Sequence, residues 1–373
     1  MATLPPPEFV SIDPAAIEAD LVKRYEEKSG KTLYPAQVER LFIDQVAYAK
    51  SLILAAIQHA GEQLLVRYSS APILDYLGDL VSTPRLLAKA AGSPLLFSAP
   101  VSTTARLIPA GTRVTTADGK VAFTTDQDVS IPAGASQATV KATCETPGSS
   151  GNGWAVGQIN TIPELPFDGL SVTNSDVTGG GADEESDDRY RERIILAPEA
   201  YTNAGSRGAY RYHALAVHQS IIDVAVLGPD DPNGPAEGNV ALYVLMEDGL
   251  PSAEMLANVK AKVSGEKIRP LCDTVNTYAP AVVAWSIKAR LTFFSSAERS
   301  VSLAAAQAAA EAYAADRRAA FGRDVVPEQV IAALQVSGVY RAELEFPAFA
   351  VVQPHQWANC TGIELIDMGV TDG

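Results

Sequence analysis

Apolar residues recur at helical spacing through Val38, Leu41, Phe42, Val46, Ala49, Leu52, Ile53, Ala56, Ile57, Ala60 and Leu64, and no other feature of the sequence constrains the fold as tightly. Three or four apart, they line one side of a helix of about seven turns, roughly 45 Å long. Such a helix is longer than a small domain needs to cover its own core. Two coverings are open. Residues 14–28 and 72–90 could pack on the stripe within one chain, as antiparallel helices joined by short loops do. Alternatively a partner buries it, since an exposed stripe of this length is an aggregation risk in a free monomer. We expect the partner, and with it an interface of Val38, Leu41, Phe42, Val46, Leu52, Ile53, Ile57 and Leu64.

The surroundings of the stripe also read as helix. Asp13 before Pro14 is a start signal, a side-chain cap followed by a residue whose missing N–H costs nothing at the first position. Ile17, Leu21 and Tyr25 then share a face, and Leu74, Leu77, Leu80, Leu86 and Leu87 suggest a third helical stretch over residues 72–90, ended by Gly92-Ser93-Pro94. From about residue 96 the pattern changes to short strands. Ile108-Pro109-Ala110-Gly111-Thr112 and Ile131-Pro132-Ala133-Gly134 repeat one strand-entry motif, and Ala117-Asp118-Gly119-Lys120 between Val114 and Phe123 is a hairpin signal. Later the elements alternate: a helix over 206–218, strands over 222–227 and 240–246, a helix after Pro251, strands over 275–278 and 282–294, an alanine-rich helix from Ser302 to Gly322, a helix from Pro327 and final strands. Strands adjoin each other as often as helices, which argues against a doubly wound sheet. The expected fold is therefore α+β multidomain: a helical assembly region over 1–95, a small β domain over 96–180, and two small α+β domains over 181–280 and 281–373.

At 373 residues the chain exceeds one compact core, and with 47% apolar and 20% charged residues it has the composition of a folded protein. A net charge of −15 argues against a nucleic-acid partner, because phosphate binding needs clustered Lys and Arg. Cys144, Cys272 and Cys360 are far apart, odd in number and form no CxxC, so they read as reduced thiols. Residues 1–7 show neither a basic stretch nor an apolar run, and the apolar stretches elsewhere read as too short to span a bilayer. The expectation is a protein made in cytoplasm, with no membrane insertion.

Motifs that would carry chemistry are incomplete. In the segment from Gly179 to Arg193, Asp183, Glu185 and Asp187 alternate as in a calcium loop, but no distal Glu or central Gly completes the ligand set. The simpler reading is a helix start after a glycine linker, with carboxylates in the first turn, arginines later, and Glu185–Arg189 and Asp187–Arg191 at i,i+4 spacing. Asp230-Asp231-Pro232-Asn233-Gly234 with Glu237 reads as turn chemistry rather than a cation site. His213 and His218, five apart, fall on different faces of a helix, unlike a zinc pair. Without a nucleophile motif, a dinucleotide fingerprint or a metal set, the reading is a protein that is not an enzyme and carries no cofactor.

Several segments, in order, resemble the baseplate J-like family of contractile-tail proteins. They are Ile108-Pro109-Ala110-Gly111-Thr112, Asp118-Gly119, Phe123-Thr124-Thr125, Pro132-Ala133-Gly134 and Gly151-Asn152 with Gly157 before Ile159. The glycine run into Ala182-Asp183-Glu184-Glu185-Ser186-Asp187 and then Arg189 to Ile194 follows, and after it Pro251-Ser252, Arg269-Pro270-Leu271 and Asp273-Thr274-Val275. The resemblance covers about residues 75–295. It implies a structural wedge component of a phage tail or injection-particle baseplate, assembled in the bacterial host, with other wedge proteins, further copies of itself, hub proteins and sheath initiators as partners. It also implies that the long helix enters a bundle formed by two copies and one smaller partner. A carbohydrate-binding tail adhesin or fibre-associated protein is the alternative, weakened by scattered aromatics at 7%.

Overall fold

The structure, a computed structural model, describes residues 5, 7–201, 205–247, 249–266 and 268–372; residues 1–4 and 6, on which part of the reading of the N-terminal start rests, lie outside it. The chain divides into two compact units: residues 1–85 with 186–195, and residues 86–185 with 196–373.

The first unit is helical. Helix α1 (Pro14–Ser29) begins as its sequence indicates, with Asp13 accepting the Ala15 and Ala16 N–H groups, and ends at Gly30, whose positive φ of 69° suits a residue without Cβ. Helix α2 (Val38–Gln63) packs against it. Helix α3 (Ile73–Asp79) has only seven residues, so the helix expected over 72–90 is a correction. The stop is a closing turn, in which Ser82 takes a positive φ of 52° and the Thr83 N–H bonds back to the Gly78 oxygen, and Pro84 then disfavours any return to helix. Leu86 and Leu87, expected in that third helix, belong instead to the second unit, where the Leu86 oxygen accepts the Glu185 N–H and the Leu86 N–H donates to the Glu185 carboxylate. Helix α4 (Asp187–Leu196) buries Tyr190 and Ile194 against Leu74.

The second unit holds three lobes. The first is a nearly closed barrel of β1 (Gly92–Ser98), β3 (Arg113–Thr116), β4 (Ala122–Thr125), β6 (Gln137–Cys144), β7 (Ile159–Thr161) and β8 (Ser171–Asn174), in the order β7-β3-β4-β6-β1-β8. Strands β2 (Arg106–Ile108) and β5 (Val129–Ile131) pair separately. Leu95, Phe97, Ile108, Val114, Phe123 and Ile159 fill its interior. Asn174 joins the two ends of the sheet: its Oδ1 accepts the N–H groups of Gly157 and Ile159, each at 3.0 Å. The glycine run read as a linker is instead pinned. Gly92 and Gly179 exchange both backbone bonds, and Gly181 is held by Asn152 through its N–H (2.9 Å) and its C=O (2.7 Å). A Cβ on Gly181 would lie 2.4 Å from the Gly148 oxygen, so close approach of backbones, rather than flexibility, requires glycine there.

In the central lobe β9 (Ile221–Leu227), β10 (Asn239–Met246) and β11 (Thr274–Tyr278) form a sheet in the order β11-β10-β9. Helices α5 (Arg207–Leu215) and α6 (Ala253–Val263) cover it, capped at their starts by Ser206 and Ser252. In the third lobe β12 (Ala281–Phe294) lies between β13 (Val339–Phe346), antiparallel, and β14 (Gln356–Thr371), parallel. Helices α7 (Arg299–Arg318) and α8 (Pro327–Leu334) pack beside them, and Ser302, Ala306, Ala310 and Ala314, four apart, let α7 lie close to the sheet. Taken together, the elements make a mixed α+β architecture.

Candidate functional site

Helix α2 is amphipathic with its polar face turned inward. On the side toward α1, Arg40 pairs with Glu18 of α1 and Asp44 of its own helix, and Ala47 is the one buried residue. On the same side Gln58 donates to the Pro7 oxygen (2.6 Å) and accepts the Phe9 N–H (2.8 Å), while the Phe9 ring lies over Gly61. The opposite side is apolar and open. All eight residues expected at the interface, Val38, Leu41, Phe42, Val46, Leu52, Ile53, Ile57 and Leu64, stand on it with exposures from 48% at Ile57 to 72% at Leu64. Tyr48, also exposed, flanks this face at seven residues from Leu41 and four from Leu52; that spacing was legible, but its hydroxyl kept it out of the apolar pattern. Ile17 is the one buried residue of α1.

The expectation that no apolar stretch could span a bilayer needs correction for this helix. Its 26 residues include an 18-residue window of mean hydropathy 1.3, long and apolar enough to cross a membrane by length and composition. The charged and amide groups along its inner face are paired with α1 and the segment before it, which is the pattern of a helix with one open apolar side.

The other candidates are spent on structure. Asp183 accepts both the N–H and the hydroxyl of Ser149 (2.9 and 2.8 Å), which hold its carboxyl below the usual range. Glu185 is buried and accepts the Leu86 N–H at 3.1 Å. The helix expected over 183–193 begins only at Asp187. Asp187 meets the Ala71 N–H and Arg85; burial alone would raise its carboxyl, but these partners offset that and leave it lowered. Arg191 directs its hydrogen bonds to Asp188 and the Ser69 oxygen, and its charge also helps to lower the Asp187 carboxyl. In the 228–239 loop, Asp231 accepts the Gly228 N–H (2.6 Å) and pairs with Arg207 (2.7 Å), as a turn residue does. His213 packs edge-on against Tyr212, and His218 accepts the Ser220 N–H through Nδ1. Among the described residues no group of three or more His, Cys, Asp or Glu side chains is placed to hold a metal ion.

Three family models match the chain in sequence order: the Baseplate J-like protein barrel domain over residues 94–181, the Baseplate J-like central domain over 202–279, and the Baseplate J-like protein C-terminal domain over 285–366. Baseplate protein J of Escherichia phage P2 is 34% identical over 186 residues, which are 50% of this chain; the match spans 60% of that relative's length. Among solved structures, a chain of the cryo-EM structure of the anti-feeding prophage baseplate aligns over 93% of this chain and 90% of its own, with a TM-score of 0.47 at 14% identity.

Proposed function

The chain belongs to the baseplate J-like family, and from that premise we propose that it is a structural component of a contractile-tail baseplate, in a phage or a phage-tail-like injection particle. The observation that carries this reading is the succession of barrel, central and C-terminal family domains over residues 94–366 in a single chain. In this role the protein is a wedge component that links neighbouring wedges around the hub and passes on the change that releases the sheath. Its partners are other wedge proteins, further copies of itself, hub proteins and sheath initiators, assembled in the bacterial host cytoplasm and carried in the tail baseplate. The work is mechanical and calls on no catalytic group.

Within that role the open face of α2 is the assembly surface. Its apolar side chains are already in helical register, so a partner helix can bury them without refolding this chain. The test is co-expression of the full chain with the neighbouring tail genes, with Phe42, Leu52 and Ile53 changed together to Asp. The substituted chain should stay folded and monomeric yet be missing from purified wedges. Its incorporation at the normal level would end the claim for α2, and failure of the unsubstituted chain to enter any tail particle would end the baseplate reading.

A further inference from the structure

The three lobes of the second unit meet through side chains drawn from one short stretch at the start of β9. Gln219, 6% exposed, reaches the barrel: its amide nitrogen donates to the carbonyl oxygens of Leu87 (3.0 Å), Asp183 (2.9 Å) and Ala182 (3.3 Å). Those oxygens belong to the two legs by which the chain enters and leaves the barrel, themselves joined through Lys89 and Ala182. Lys89 adds a bond from the same legs to the Val217 oxygen (3.0 Å). Four residues beyond Gln219, Asp223, 8% exposed, reaches the third lobe. One carboxylate oxygen accepts the Phe321 N–H at 2.9 Å, and the other takes Arg211 and the Val224 N–H. Between these anchors Ile221 is buried in the central core, as is Val224 just beyond them. The stretch therefore has a grip on all three lobes.

We propose that residues 217–223 are a rigid coupler, through which a displacement of the barrel is transmitted to the C-terminal lobe instead of being absorbed at two loose joints. Domains joined in one chain move relative to one another by default unless something holds them. Here each junction is held by a buried polar group whose bonds have no water to replace them until the junction opens. Gln219 lies in the turn that leads into β9 and Asp223 is the third residue of that strand; between them the Ser220 oxygen accepts the Glu247 N–H and β9 is paired with β10 from Ile221 onward, so the backbone joining the two anchors is itself held. A tilted ring contact of Tyr243 with His355, centres 5.2 Å apart and planes at 42°, supports the second junction but cannot replace a directional bond. The coupler is a property of this chain alone and stands whether or not the proposed assembly role holds.

The test is a spin-label distance measurement on the full chain. Labels go at Lys120→Cys on the barrel and Arg341→Cys on the third lobe, both exposed, with Cys272→Ser removing the exposed native thiol. The unsubstituted coupler should give one narrow distance distribution. Gln219→Met, which keeps the length of the side chain but donates nothing, should broaden it roughly twofold, with amide exchange inside each lobe unchanged. Asp223→Asn should broaden it less, since one oxygen acceptor survives. A broad distribution in the chain with its coupler intact overturns the proposal without any variant, which keeps the test decisive should Gln219→Met fail to fold. Unchanged width in a folded Gln219→Met chain overturns it equally.

Discussion

Tyr190 shows how much of this protein's stability rests on single contacts between distant residues. Its hydroxyl donates to the Thr83 oxygen at 2.7 Å, and the Arg85 guanidinium lies 4.6 Å from its ring centre. Gly78 passes beneath it so closely that a Cβ there would sit 1.9 Å from the hydroxyl oxygen. Gly78→Ala should therefore cost about 2 kcal/mol, because the overpacked side chain has backbone on its far side. Denaturant unfolding of Gly78→Ala, Tyr190→Phe and the double variant should show that the two losses fall short of adding, since removing the hydroxyl takes away the shortest contact while the ring carbon at 2.6 Å and the Thr83 oxygen at 2.8 Å remain. Asp187, in the same cluster, predicts a pH dependence. Its folded-state pKa is depressed, so its bonds contribute stability above the unfolded value near 3.9 and lose it as pH falls through the folded value. Asp187→Asn should be less stable than the native chain at pH 7 by about 1 kcal/mol, allowing for solvent screening, and the gap should close in acid. A gap that stays constant down to pH 2 would count against this assignment.

At the scale of elements, α2 is the informative one. Periodicity identified the helix and its apolar side, and Asp13, Pro14 and Gly30 marked α1 before it, because caps and stripes are local properties. The seven-residue α3 was misread because Leu86 and Leu87 continue a leucine spacing past Pro84, although they are bound to the barrel's legs. Because Phe42, Leu52 and Ile53 are 53–69% exposed, changing them to Asp should alter the stability of the isolated chain by no more than about 0.5 kcal/mol. Far-UV circular dichroism should be unchanged, and binding of an apolar dye should fall. A large loss of helicity would mean that these side chains support the fold.

For the whole molecule, the distribution of core predicts how it melts. The first unit buries few large side chains, chiefly Leu74, Tyr190, Ile194 and Ile17, while its longest helix has a single buried alanine. The second unit has three extensive cores. Calorimetry of the full chain should resolve a weak transition of the helical unit below the main one, and a partner that occupies α2 should raise the first with little effect on the second. A single transition, unmoved by the partner, would contradict this.

The sequence by itself determined the α+β class, the order of helical, β and α+β regions, the turn at Asp118-Gly119 and the family resemblance. Each of these is written in residues near one another in the chain, as periodicity, capping or turn chemistry. Tertiary structure alone decided which side of α2 stays open, because a stripe shows that burial is wanted and not which surface provides it. It alone decided that Asp183, Glu185 and Asp187 are acceptors for Ser149, Leu86 and Ala71, and that Gln219 and Asp223 hold lobes together. In each of those pairs the partner lies tens of residues or more away, and a polar side chain's partner is set by which distant backbone the fold brings to it.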